Sequence, residues 1–130
     1  MAAGYVAGLR NARLDAITTF VGASGKLRLY SGVRPATGGA ATTLLVELTL
    51  NATFAPAAAA GVLTANAITS GTAVATGTAS WARIFKSDGT TIAIDLGVGT
   101  SGQEVTIATT SIVSGATVSV SSLVITAGNA

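Results

Sequence analysis

The stretch TASWARIFKSDGTTIAIDL, residues 78–96, decides how this chain folds. Side chains alternate between the two faces of a strand, so the first half of the stretch places three large residues on one face: Trp81, Arg83 and Phe85. Asp88 and Gly89 follow as a turn, because both residue types tolerate the backbone angles of a tight hairpin. Residues 91–96 return as the partner strand. The stretch therefore predicts a β-hairpin.

Shorter segments on both sides predict further strands and loops. KLRLYSG (26–32) alternates leucines with Arg and Tyr, which is typical of a half-buried strand. TLLVELTL (43–50) and VLTANAI (62–68) predict a second and a third strand. Residues 33–42 contain Pro and a Gly pair and predict a loop, whereas FAPAAAA (54–60) fits either a loop or one helical turn.

The end of the chain, from Val105 to Ala130, contains no charged residue. Many Ser and Thr residues interrupt it, whereas a membrane span needs about 20 predominantly apolar residues. We therefore expect strands here and no membrane span. The apolar pattern changes parity at Ser121 and Ser122, which predicts a β-bulge or a bend.

One helix is predicted, over residues 9–21, and Gly22 follows it as a stop signal. We expect its apolar residues to face the core: Leu9, Ala12, Ala16, Ile17, Phe20 and Val21. Residues 1–8 precede the helix and are rich in Ala and Gly. We expect them to form a flexible arm that orders on docking.

Together these elements predict one all-β domain with an N-terminal α-helix. The strand segments and their turn signals fit a β-sandwich of about seven or eight strands, of jelly-roll or immunoglobulin-like type. The domain spans residues 9–130 and the arm residues 1–8. A chain of 130 residues suffices for a core, because folding at this size buries roughly two-thirds of the unfolded surface.

The composition argues against catalysis and cofactor binding. Cys and His are absent, which removes thiolate ligands, the commonest general base and the commonest metal ligand. Only 9% of residues are charged, and the basic ones are scattered among few aromatics, which disfavours a nucleic-acid site. We expect no enzyme activity, catalytic residue, cofactor, metal or small-molecule substrate. Charge-poor strands rich in Ser and Thr instead suit large, permanent protein interfaces.

Two glycine-rich motifs imitate nucleotide-binding loops. GVGTSG (97–102) has the spacing of a dinucleotide motif, but the β-branched residues after it predict a strand where a helix N-terminus is required. GASGK (22–26) follows a predicted helix and precedes a predicted strand, the reverse of the P-loop order. We interpret both motifs as connections.

Two carboxylates and one aromatic pair allow more than one interpretation. Asp95 and Glu47 are expected at solvated strand positions, and the alternative for Asp95 is pairing with Arg83 or with an arginine of another subunit. Trp81 and Phe85 flank Arg83 and form either a core contact, which we prefer, or a ligand-stacking face.

Three segments, in this order, carry a resemblance to a known family: GKLRLYSGVRPATGGAATTLLVELTL (25–50), GTASWARIFKSDGTTIAIDLGVGTSGQEVTI (77–107) and TTSIVSGATVSVSSLVIT (109–126). They resemble small virion proteins of tailed bacteriophages. The chain is also similar in size and pattern to the capsid decoration, or cement, proteins of such phages. Those proteins are β-sandwich or jelly-roll subunits that clamp adjacent hexamers and pentamers of the capsid lattice.

The resemblance implies a structural protein on the capsid exterior, present in the host cytoplasm before assembly. Its implied partners are the major capsid protein and its own copies, in a dimer or a trimer. The alternatives are a tail- or fibre-associated subunit, a carbohydrate-binding module that stacks sugars on Trp81 or Tyr30, and an enzyme that acts through Asp95 or Glu104. The arm, the start of the predicted helix and the two predicted loops supply the candidate interface residues: Met1, Tyr5, Val6, Arg10, Arg34, Pro35, Gly99 and Thr100.

Overall fold

The computed structural model describes residues 4–127, which form one helix and ten strands. The elements are α1 (Ala7–Val21), β1 (Lys26–Ser31), β2 (Thr43–Thr49), β3 (Val62–Thr64), β4 (Gly71–Thr72), β5 (Gly77–Phe85), β6 (Ile92–Gly99), β7 (Val105–Ile107), β8 (Ser111–Ile112), β9 (Thr117–Val118) and β10 (Val120–Thr126). The fold is therefore mostly β with a single N-terminal helix, as the sequence predicts. Met1 lies outside the described residues.

Eight of these strands form one open sheet in the order β2-β1-β5-β6-β7-β10-β3, and β8 pairs with the start of β5. Neighbouring strands are antiparallel except β6 and β7, which run parallel. The strands β4 and β9 form a separate two-stranded ladder. The predicted hairpin of residues 78–96 is confirmed as β5 and β6, the centre of this sheet.

The core lies on one face of the central strands. Leu27 and Leu29 of β1 are fully buried there beside Ile84 of β5, because alternation sends them all to the same side. Leu63 of β3 and Leu123 of β10 belong to the same hydrophobic cluster. Each fully buried side chain of this kind contributes about 1.5–3 kcal/mol relative to an exposed one.

The helix begins at Ala7, two residues earlier than predicted, so Ala7 and Gly8 belong to α1 and not to the arm. It ends at Val21, as predicted, and Gly22 follows it as the stop residue. The φ angle of Gly22 is +71°, and its N–H donates a hydrogen bond to the Thr18 carbonyl. Leu14 and Val21 are its buried residues. The predicted inward face is wrong in part, since four of its members are exposed: Leu9, Ala12, Ala16 and Phe20.

Two polar side chains fasten α1 to the segment before β3. Asn11 Oδ1 accepts a hydrogen bond from the Gly61 N–H at 2.9 Å, and Asp15 Oδ1 accepts one from the Ala58 N–H at 2.8 Å. Residues 54–60 form a loop and not a helical turn. The side of α1 that carries this amide and this carboxylate therefore faces the protein, so other residues of the helix face outward.

The predicted strand over residues 62–68 is too long. The ladder of β3 with β10 ends at Thr64, and the chain then crosses to the other end of the sheet, where the Thr69 N–H donates to the Thr49 carbonyl at 3.0 Å. The predicted bulge near Ser121 is confirmed, because the register of β10 against β7 shifts between Val120 and Ser122. No helix within residues 4–127 is long and apolar enough to cross a membrane.

Candidate functional site

A row of four charged residues crosses the outer face of the sheet. The strand register places Glu47 of β2 opposite Arg28 of β1, Arg28 opposite Arg83 of β5, and Arg83 opposite Asp95 of β6. Like charges directly opposite each other are destabilising in a sheet. Here each arginine has its own carboxylate on the far side, which offsets that repulsion. We call these four residues the charged row.

The Arg83–Asp95 pair is bidentate and buried. Arg83 Nε donates to Asp95 Oδ1 at 2.6 Å and Nη2 donates to Oδ2 at 3.1 Å, and the two side chains are 3% and 2% exposed. The expectation of a solvated Asp95 is therefore wrong, and the alternative pairing with Arg83 is confirmed. The pair is shielded because the loop of residues 33–42, which we call the cover loop, lies over it and donates the Gly38 N–H to Asp95 Oδ2 at 3.0 Å.

The environment keeps Asp95 ionised. Burial acts to raise the pKa of this carboxyl, but hydrogen bonds from Arg83 and Gly38 and the charges of Arg83 and Arg34 outweigh it and lower the pKa below its ordinary value. The hydrogen bond to Asp95 raises the pKa of Arg83 despite burial. A general acid at neutral pH needs a raised carboxyl pKa. Asp95 has the opposite shift, which suits a structural counterion.

Glu47 faces outward, as expected, but it is not free. Arg28 Nε donates to Glu47 Oε2 at 2.6 Å, and both side chains are partly exposed. The Arg28 guanidinium also lies 4.3 Å from the centroid of the Phe85 ring. Burial acts to lower the pKa of Arg28, and the bond to Glu47 raises it above its ordinary value.

The aromatic residues beside the charged row are buried. The Tyr30 and Trp81 rings stack with centroids 4.4 Å apart, and Trp81 Nε1 donates to Thr42 Oγ1 at 2.8 Å. Trp81 is 0% and Tyr30 3% exposed, and Phe85 is buried as well. A sugar-stacking platform requires an exposed ring face, which neither Trp81 nor Tyr30 offers in this structure. The preferred core contact for Trp81 and Phe85 is confirmed.

The GVGTSG motif joins two strands, as interpreted. Residues 97–99 end β6, residues 100–104 turn back, and β7 starts at Val105, so no helix N-terminus follows the glycines. The Gln103 side chain lies over Gly97 where a side chain would point, and Glu104 Oε1 accepts the Gly97 N–H at 2.9 Å. Gly97 and Gly99 make room for the returning chain, because a side chain at either position would meet Gln103.

The GASGK motif is also a connection, between α1 and β1. Gly25 is buried, and a methyl group there would lie 2.7 Å from the Phe85 carbonyl oxygen and 2.8 Å from Val21 Cγ1. This glycine allows the helix end and the hairpin to approach each other.

The structure brings together two of the three predicted contact regions. Arg34 of the cover loop and Gly102 of the GVGTSG motif line the same cavity of about 460 Å³, together with Glu104 and Val124. Arg34 and Thr100 are exposed, and two other candidates are half-buried: Pro35 and Gly99.

The third region lies on the helix. Tyr5 is half-buried, and the centroid of its ring lies 5.1 Å from Arg13 Cζ. Val6 is 75% exposed. Arg10 is half-buried against Gly61, and its Nε has no hydrogen-bond partner in the described part of the chain. Met1 is a candidate that lies outside residues 4–127.

A solvent-facing stripe on α1 was missed by the sequence reasoning. We call it the helix stripe: Val6, Leu9, Arg13, Ala16 and Phe20, spaced three or four residues apart. Leu9 is 47% and Phe20 48% exposed. The signal was present, because Leu14, Ile17 and Val21 form a second apolar stripe, and a helix at a sheet surface buries only one.

No family model, curated protein or solved structure matches this chain. The site must therefore be interpreted from its geometry. Among residues 4–127, no three Asp, Glu, His or Cys side chains are grouped so that they could hold a metal ion. The described surface carries exposed apolar side chains, among them Val6, Leu9 and Phe20, and cations such as Arg13 and Lys86 that form no ion pair within residues 4–127.

Proposed function

We propose that this chain is a structural protein of a tailed-bacteriophage particle, which binds the outside of the capsid shell and stabilises it as a decoration protein. The observation that carries the proposal is the exposed apolar surface of the helix stripe. Contiguous apolar surface on a monomer marks a contact with a partner. The resemblance of residues 25–50, 77–107 and 109–126 to phage virion proteins supplies the identity of that partner, the major capsid protein.

The mechanism is mass action. A subunit that binds the assembled lattice, and not the dissociated shell protein, stabilises the lattice by its own binding free energy. At a free concentration of 100 times Kd, this amounts to about 2.7 kcal/mol per site. The copies associate with each other in dimers or trimers, because the lattice supplies symmetry axes.

The proposal extends to the fold, which we infer to be a β-sandwich of jelly-roll or immunoglobulin-like type. The support is that strands from the two ends of the sheet order share one core. Leu48 of β2 and Leu63 of β3 lie at opposite ends of that order and are both buried in the same cluster. A sheet that bends over itself to form two layers produces this arrangement.

The test is the copy number of the chain in purified particles, read from a stained gel against the major shell protein. We expect many copies, in a fixed ratio to the shell protein. A copy number far below that of the shell protein indicates a tail or fibre subunit and contradicts decoration. Absence from the particle contradicts a virion role altogether.

A further inference from the structure

A concave surface lies beside the helix stripe. The space between α1 and β6 has a volume of about 290 Å³ and is lined by Arg13, Ala16, Ile17, Phe20, Ala93 and Ile94. A water molecule occupies about 30 Å³ in the liquid, so the groove has room for an apolar side chain. Its walls are apolar apart from Arg13.

Two cations flank this groove. Arg13 lines it, and Lys86 Nζ lies 4.5 Å from the centroid of the Phe20 ring at the stripe's end. Neither has a carboxylate within 4.0 Å among residues 4–127, where the ion pairs found are Arg28–Glu47 and Arg83–Asp95. The surface therefore combines apolar side chains with two cations, Arg13 in the groove and Lys86 beside Phe20.

The Asp and Glu side chains within residues 4–127 form hydrogen bonds elsewhere in the fold. Each accepts hydrogen bonds within the same chain: Asp15 from Ala58, Glu47 from Arg28, Asp88 from Thr90 and Thr91, Asp95 from Arg83 and Gly38, and Glu104 from Gly97. A second copy docked through its own helix stripe brings its Arg13 and Lys86 towards the same two cations, because a symmetric contact places one patch against itself. Self-association through this surface is thus electrostatically unfavourable.

We propose that the helix stripe binds a segment of a different protein that carries an apolar side chain next to carboxylates. The apolar side chain enters the groove, and the carboxylates contact Arg13 and Lys86. A membrane surface is disfavoured, because a concave groove fits a protruding side chain better than a lipid layer. The inference rests on the proposed function for the identity of that protein, which is then the shell protein.

The experiment measures binding of the purified chain to capsid shells prepared without it. Leu9→Ser removes an exposed apolar contact, and Val113→Ser is its control at another exposed apolar position. Arg13→Glu reverses a charge in the groove, and Lys26→Glu makes the same change on β1. We expect Leu9→Ser and Arg13→Glu each to weaken binding about tenfold or more, as loss of a central contact does, while both controls bind as the wild type does. Circular dichroism and urea unfolding of each variant test whether it folds as the wild type does.

The outcomes separate the two proposals. If the wild type does not bind shells, the proposed function fails and this inference fails with it. If the wild type binds and Leu9→Ser and Arg13→Glu bind equally well, the inference alone is overturned.

Two further readouts use the same variants. Binding to phosphatidylserine-containing vesicles that Arg13→Glu abolishes would overturn the inference in favour of a membrane surface. A concentration-dependent dimer that Leu9→Ser abolishes would overturn it in favour of a second copy.

Discussion

Asp95 connects the centre of the sheet to the cover loop, because its two oxygens accept hydrogen bonds from Arg83 and from the Gly38 N–H. Removing one partner of a buried ion pair leaves the other charge uncompensated, which costs about 3–5 kcal/mol. We therefore expect Asp95→Asn to lower the free energy of unfolding by about 3 kcal/mol, measured by urea denaturation at pH 7.

Glu47→Gln is the matched control, because its bond to Arg28 lies at the partly exposed end of the charged row. Exposed pairs contribute at most about 1 kcal/mol, so this variant unfolds nearly as the wild type does. Equal losses for Asp95→Asn and Glu47→Gln would contradict the assignment of a buried pair.

The stability of the protein depends on pH through Asp95. A carboxyl whose pKa is lower in the folded than in the unfolded state stabilises the fold above its unfolded pKa of about 3.9. That stabilisation is lost as pH falls through the folded pKa. The pKa of Asp95 is lowered, so below about pH 4 the wild type loses stability more steeply than Asp95→Asn.

The measurement is urea unfolding of both proteins from pH 7 to strong acid. Hydrogen bonds from Thr91 and Thr90 lower the pKa of Asp88 to about 2. Asp88 is present in both proteins, so its effect cancels in the difference between their free energies of unfolding. If the free energies of unfolding of the two proteins changed with pH in parallel, protonation of Asp95 would not contribute to the loss of stability in acid.

For single residues, the alternation of side chains along a strand predicts which face of the sheet a residue occupies, but not what covers it. The pattern of β6 places Asp95 on the outer face, and the structure agrees. The pattern does not predict that Gly38, 57 residues earlier in the chain, donates its N–H to Asp95 from the cover loop. Burial of Trp81 on the same face depends on Thr42 in the same loop, which is also distant in sequence.

Among the elements, the junction between α1 and β1 depends on Gly25. A methyl group there meets the backbone oxygen of Phe85, which cannot move without shifting β5. We expect Gly25→Ala to lower the free energy of unfolding by about 2–3 kcal/mol, in the upper range for overpacking. Thermal and urea unfolding provide the measurement.

Gly97→Ala is the control in the other glycine motif. There the obstacle is the exposed Gln103 side chain, which can swing aside, so we expect a loss below about 1 kcal/mol. If Gly97→Ala proved the more damaging of the two, the close approach at Gly25 would not be what fixes this junction.

The elements themselves were largely readable from the chain. The hairpin and the bulge are local features, set by alternation and turn residues, and both are present. Which side of α1 faces inward could not be predicted, because Asn11 and Asp15 determine it by hydrogen bonds to a loop that lies 50 and 43 residues further along the chain. The sequence consequently indicated an inward Phe20, which the structure places at the surface.

At the scale of the whole molecule, hydrogen bonds and ion pairs within the fold hold the acidic side chains, whereas exposed apolar groups and several cations lie at the surface. The carboxylates bond within the fold, and the helix stripe remains uncovered in the described part of the chain. The strand order, with β3 at the far edge beside β10, arises from pairings between distant segments. Local sequence patterns do not specify such pairings, so the topology was beyond prediction while the all-β class was not.

The most direct test of a shell-stabilising role is the heat stability of capsid shells with and without the purified chain. We expect that adding the chain to shells that lack it raises the temperature at which they dissociate, and that the shift grows with its concentration until the sites are filled. Shells that dissociate at the same temperature at every concentration of added chain would contradict the account.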